Sequence, residues 1–314
     1  MPNDEVTLDF AGIGVSRCGT TWLAKCLADH PDIFVPPKKE LAYYNNSGRM
    51  ETESLDDYFT DADPAQQWGE YTPRYIISRD ALELLAEHNP GVKTIVSLRD
   101  PVERAYSQYK YFHFQMDQEE ITDFETAMTG PYEEDYVTKS EYATNLQRAW
   151  DIFGRDSVHV VFSHDFGTKP AAVIADLYAY LGVGDSFRPD VLEDRLNESG
   201  TKNEGVLGTD LSEDGDVMVR GKRFNGLRDF GDKVGRKLGI QSTVAKVGDP
   251  VVSAAEHTVG KVVAGGHSES EPDDDGGVPE PDEATKARIY RDHFADEVER
   301  LEAMLDTDLS RWKH

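Results

Sequence analysis

The feature that most limits the fold is an alternation. From Val6 to Leu181, short apolar runs give way to helical segments again and again. Val6–Val15 is an apolar run ending in glycine and valine, the pattern of a first buried strand. A turn at Ser16–Gly19 follows, and then a helix over Thr20–Asp29, with Trp22, Leu23, Cys26 and Leu27 at helical spacing. His30-Pro31 stops that helix, and Ile33–Val35 predicts a short second strand. A helix over Ala81–His88 ends at Asn89-Pro90-Gly91. Thr94–Leu98 then predicts a buried strand, and Pro101 opens a helix that runs through Tyr106 and Tyr109. Helix is predicted again over Tyr142–Phe153, strand over Val158–Phe162, and helix over Pro170–Leu181, closed by Gly182. Strands alternating with helices predict an α/β fold: a mostly parallel sheet flanked by helices on both faces.

A chain of 314 residues can bury the core of one large α/β domain. The alternation breaks over residues 242–283. Within that stretch, Gly265–Glu283 holds eight acids and no Lys or Arg, with several Gly and Pro, so it cannot form a core. The expected organisation is a single domain over 1–314, with a flexible acidic insertion at 242–283 and a C-terminal helix over 284–305. Ile289, Phe294, Val298, Leu301 and Leu305 mark one face of that helix.

The net charge of −27 makes the surface strongly acidic, which argues against nucleic acid and anionic membranes as partners. The excess is spread along the chain, a pattern that resembles proteins of a salt-rich cytoplasm, where salt screens the repulsion between carboxylates. No run of about eighteen apolar residues offers a membrane span, and Met1–Glu5 has no signal-peptide pattern, so a cytoplasmic location is expected. The two cysteines, Cys18 and Cys26, are too few and too close for a disulfide framework, and no ligand spacing predicts a metal.

Two motifs carry the chemistry. The first lies between strand one and helix one, where free backbone N–H groups and the positive end of the helix form an anion cradle. Gly14–Thr21 nearly fits G-x-x-x-x-G-K-[ST], but Thr20 holds the lysine place and the cation is displaced to Arg17. The departure counts against a P-loop kinase, which uses that lysine on its phosphates. The second motif is Arg99-Asp100-Pro101-Val102-Glu103-Arg104-Ala105-Tyr106-Ser107. Arg99 ends a strand, where ligands of open α/β sheets bind, and Ser107 follows about two helical turns later. Arg104 is read either as a nucleotide contact or as a surface arginine paired with Asp100 or Glu103.

Ser16-Arg17-Cys18-Gly19-Thr20-Thr21-Trp22-Leu23 resembles the 5′-phosphosulfate loop of sulfotransferases that use 3′-phosphoadenosine-5′-phosphosulfate (PAPS). Arg99-Asp100-Pro101…Arg104…Ser107 is similar to their 3′-phosphate site, and Phe294–Trp312 resembles the closing helix of bacterial and Golgi-type members. The resemblance implies a P-loop-like sulfotransferase fold, PAPS as co-substrate and no required metal. It places Arg17, Cys18, Gly19, Thr20, Thr21, Trp22, Arg99 and Ser107 around the nucleotide, with Arg17 also offsetting charge on the bridging oxygen.

Lys38-Lys39-Glu40-Leu41-Ala42-Tyr43-Tyr44 resembles the Lys-Glu-x-x-[Phe/Tyr]-[Phe/Tyr] segment of carbohydrate-type members, which implies Glu40 as catalytic base and Lys39 near the sulfuryl oxygens. The implied acceptor is a small molecule or glycan that offers a hydroxyl or an amine, with a sugar of a glycolipid or glycan precursor favoured. His30, beside Pro31, reads as a capping or surface group. Gly69-Glu70-Tyr71-Thr72-Pro73 is similar to a family element in which Lys stands at the place of Tyr71; Arg74 or Lys38 could replace that cation, and Glu70 could contact the acceptor or anchor the loop. Asn197–Lys202 and Arg220–Arg223 are both candidates for a late 3′-phosphate loop. The competing readings are a small-molecule kinase and a catalytically silent nucleotide- or glycan-binding module.

Overall fold

The computed structural model describes residues 6–115, 123–193 and 280–314, with three short strands at 210–211, 217–219 and 222–224. The chain forms two compact units. The larger takes residues 1–111, 119–198 and 280–314, and the smaller takes 112–118 and 199–279.

The larger unit is built on five strands: β1 (Phe10–Gly14), β2 (Ile33–Phe34), β3 (Gln67–Tyr71), β4 (Lys93–Leu98) and β5 (Val158–Phe162). Their order is β2-β3-β1-β4-β5, and every neighbouring pair is parallel. The longer helices are α1 (Thr20–Ala28), α2 (Arg79–His88), α3 (Pro101–Gln115), α4 (Tyr142–Phe153) and α5 (Pro170–Leu181). Leu23 and Leu27 of α1 meet Ile174 and Leu177 of α5 over Phe10, Ile95 and Val161 of the sheet. α4 packs against β4 and β5, with α2 beside it. Burial of these apolar faces is what holds the layers together.

This order puts the site in place. β1 lies between β3 and β4, so the chain leaves β1 toward one side of the sheet and later returns on the other. The carboxyl ends of β1 and β4 then flank a topological switch point, the crevice where open α/β sheets bind ligands.

The α/β architecture follows the alternation in the sequence, with one addition. β3 has Gly69, Glu70 and Tyr71 buried, and it joins β2 to the rest of the sheet. Gly69 faces the ring of Phe10, and Gly12 faces the ring of Tyr71, so neither position has room for a Cβ.

The C-terminal segment is interrupted. α6 (Glu283–Ile289) passes through a π-turn at Tyr290–Phe294 into α7 (Ala295–Leu305). The five-residue step from Ile289 to Phe294, both buried, is the π spacing, so the extra residue keeps both on the core. Trp312 follows, buried and edge-on to Tyr142 and Phe162.

In the smaller unit, β6 (Asp210–Leu211), β7 (Val217–Val219) and β8 (Lys222–Phe224) form an antiparallel sheet in that order. The acidic stretch from 242 to 279 lies outside the described residues. Among the described residues, no helix is long and apolar enough to cross a membrane.

Candidate active site

The loop after β1 is fastened to β4. Val15 N–H donates to Ser97 O at 3.1 Å, and Ser97 Oγ donates to Cys18 O at 2.6 Å. Gly19 caps α1 in the left-handed region at φ 76°, and a Cβ there would lie 2.5 Å from the Phe166 ring, so both backbone and neighbour require glycine. Thr20 and Thr21 open the helix, where the first N–H groups have no partner within the helix. Trp22 stacks on Phe166 at 4.7 Å and donates its indole N–H to Val191 O, so its ring walls the loop from the core side. The Cys18 thiol is fully buried and pushed up to about 11 by that burial, so the backbone of this residue is what the loop presents.

The second motif caps its own helix. Asp100 Oδ1 accepts from the N–H groups of Val102 and Glu103 at 2.9 and 3.1 Å, fixing the start of α3 at the end of β4. Arg99 is half-buried and reaches Glu103 at 3.1 Å. Ser107 is buried two turns along α3.

The two motifs meet through a side-chain contact. Arg17 stands in the left-handed region at φ 72°, and its Nε donates to Ser107 Oγ at 3.2 Å. Its guanidinium lies 5.0 Å from the centre of the Tyr111 ring. Burial lowers the Arg17 pKa; Tyr111 opposes this, and the nearby charges of Arg99 and Arg104 lower it further. The charges of Arg99 and Arg104 bear on Arg17 in a chain of net charge −27, beside a helix N-terminus. Such a site fits a ligand with several negative charges.

Arg104 is neither a surface group nor paired with Asp100 or Glu103. It is fully buried, donating Nε to Ser140 Oγ at 2.5 Å and Nη2 to the carbonyls of Asp135 and Tyr136 at 2.7 and 2.6 Å. It clamps the 135–140 segment onto the helix that carries Ser107.

The segment after β2 is of a different kind. Lys39 is half-buried and Glu40 exposed, with Lys39 Nζ 3.4 Å from Glu40 Oε1. Lys38 is exposed over the ring of Tyr58, and Arg74 is exposed. Tyr71 is buried against Gly12, so the place of the family's lysine is taken by a core phenol.

Beneath this segment lies Glu70, 1% exposed. Burial pushes its carboxyl up to about 7; the neighbouring Tyr75 and Thr72 hydroxyls and the Leu41 N–H act against that rise, and the Glu40 charge adds to it, while Oε2 accepts from Thr72 and Oε1 has no hydrogen-bond partner among the described residues. The sequence flags Glu70 as a loop anchor or acceptor contact, but its surroundings come from three separate segments. His30 is buried, not on the surface: Nε2 lies 2.9 Å from Gly184 O and Nδ1 accepts from Asp32 N–H. Residues 197–202 and Arg220-Gly221 lie outside the described residues, while Lys222 and Arg223 stand on β8.

Residues 9–225 match the model of the sulfotransferase domain, so the chain belongs to the sulfotransferase family. A stretch of 106 residues is 36% identical to the membrane-associated sulfotransferase kil1 of Dictyostelium discoideum, covering 33% of this chain and 22% of that protein. This chain therefore matches only about a fifth of that relative's length. The crystal structure of a sulfotransferase from Alicyclobacillus acidocaldarius superposes with a TM-score of 0.61 at 22% identity, over 98% of this chain and all of the other, which shows the shared fold.

Proposed function

We propose that this chain transfers a sulfuryl group from PAPS to a hydroxyl, or an amine, of a small-molecule or glycan acceptor. The observation that carries the reading is the Arg17 Nε–Ser107 Oγ contact at 3.2 Å, which joins the two anion-binding motifs. Arg17 and the opening N–H groups of α1, with Gly19, Thr20 and Thr21, hold the 5′ end of the nucleotide. Arg99 and Ser107 hold the 3′-phosphate. The bound donor supplies an activated sulfuryl group. Glu40 takes the proton of the acceptor hydroxyl as the acceptor oxygen bonds to sulfur. The bond between sulfur and the 5′-phosphate oxygen breaks, its electron pair stays on that oxygen, and Arg17 offsets the charge. Lys39 steadies the sulfuryl oxygens. The products are the sulfated acceptor and adenosine 3′,5′-bisphosphate.

The Lys-Glu-x-x-Tyr-Tyr segment supports a sugar of a glycolipid or glycan precursor as acceptor. The 60 acidic against 33 basic residues support work in a salt-rich cytoplasm. Calorimetry in high salt and without magnesium should show binding of adenosine 3′,5′-bisphosphate; no binding would overturn the reading. Incubation with labelled PAPS and a lipid and glycan extract, followed by mass spectrometry, identifies the acceptor.

A further inference from the structure

The turn that presents Glu40 is held in an unusual shape. Glu40 and Ala42 both stand in the left-handed region, at φ 63° and 50°, although neither is glycine. A non-glycine residue stays there only where its surroundings determine it. Three buried side chains do so. Ala42 N–H donates to Thr72 Oγ1 at 3.0 Å, and the same hydroxyl donates to Glu70 Oε2 at 2.8 Å. Tyr44 N–H donates to the Tyr75 hydroxyl at 3.4 Å. The Leu41 N–H and the Tyr75 hydroxyl both lie against the Glu70 carboxyl, and the Leu41 carbonyl accepts from Arg49. Glu70, Thr72 and Tyr75 are at most 1% exposed, so water does not compete for these bonds. Thr72 is itself fixed by its N–H to Gly12 O at 2.9 Å, on the strand that leads into the anion cradle.

We propose that Thr72 and Glu70 are positioning residues for Glu40: their relay of hydrogen bonds holds the strained 40–42 turn at a set distance from the strand that ends in the donor cradle. The inference rests on the reading of Glu40 as the base. It differs from a general structural role because the relay grips the backbone N–H groups of Ala42 and Tyr44 rather than packing a side chain.

The test is a double-mutant cycle with Thr72→Val, which keeps the side-chain shape and removes the hydroxyl, in the native chain and with Glu40→Gln. Thr72→Val should lower kcat about 10- to 100-fold, the scale of a misplaced catalytic group, while leaving adenosine 3′,5′-bisphosphate affinity unchanged. Thr72→Ser should restore most of the loss. In the Glu40→Gln background, Thr72→Val should cost nothing further. An equal loss in both backgrounds, or none in the native chain, overturns the positioning role and leaves the base reading intact. Full activity of Glu40→Gln overturns the base reading, and the positioning role with it. If Thr72→Val binds no nucleotide, Glu70→Gln takes its place in the same cycle under the same criteria.

Discussion

The proposed donor end and the proposed acceptor end of the site are built in opposite ways. At the donor end the functional side chains are at least half-buried and tied to one another: Arg17 to Ser107, Arg99 to Glu103, and the loop to β4 through Ser97. At the acceptor end Glu40 is exposed and its only ion-pair partner among the described residues is the neighbouring Lys39, while the tight bonding lies one layer below, in Glu70, Thr72 and Tyr75. The contrast matches two tasks. A fixed, multiply charged nucleotide is best met by preorganised cations, because no reorganisation is then needed as charge develops. The proposed base, which must reach the acceptor, stands open on a turn whose backbone alone is fixed.

The contrast can be broken in four places. The largest effect is expected from Glu40→Gln, which should lower kcat about 10²- to 10⁴-fold with nucleotide affinity unchanged. Steady-state kinetics beside calorimetry read both, and a joint loss of affinity would merge the two ends into one.

The second lies in the layer below. Burial raises the Glu70 carboxyl from 4.5 to about 7, so the folded state holds a proton that the unfolded chain releases. The stabilising contribution is complete below about pH 4.5 and is lost as pH rises to about 7, a loss of about 3 kcal/mol. Urea unfolding of the native chain and Glu70→Gln at pH 5 and pH 8 should show their difference changing by about 2.5 kcal/mol, since part of the loss has already occurred at pH 5. A constant difference would mean that Glu70 does not carry its proton into this range.

Third, Arg17→Ala should weaken adenosine 3′,5′-bisphosphate binding about 10- to 100-fold, or about 1.5–3 kcal/mol for one charge-assisted contact. Unaltered affinity by calorimetry would place the donor elsewhere. The smallest effect belongs to Glu103→Gln, which frees Arg99 from a pair that is one-third to one-half exposed. Binding should tighten by less than about 1 kcal/mol, a few-fold by calorimetry.

The donor end was far more legible in the sequence than the acceptor end, for a physical reason. Arg17, Gly19, Arg99 and Ser107 come from two short motifs, each within one strand-turn-helix passage, and the parallel sheet brings such strand ends together. β3 was not legible as a strand. Gln67-Trp68-Gly69-Glu70-Tyr71 shows neither alternation nor a continuous apolar run, because its glycine yields to Phe10 and its glutamate is buried on hydrogen bonds. Without β3 the socket under Glu40 cannot be drawn, since its parts come from 41–44, 70–72 and 75. Arg104 reads on paper as a nucleotide contact or a surface residue, because nothing in its own helix signals the carbonyls at 135 and 136. In the C-terminal helix the hydrophobic face was visible, and the five-residue step within it was the mark of the π-turn.

Ala42 is gripped through its amide, a group shared by every amino acid except proline. The mooring itself reads no side chain, but the φ of 50° does, because a β-branched or bulky residue is strained in that region. At residue 42 glycine should relax the backbone and asparagine should keep the turn, a β-branched residue should strain it, and proline should cut the tether as well.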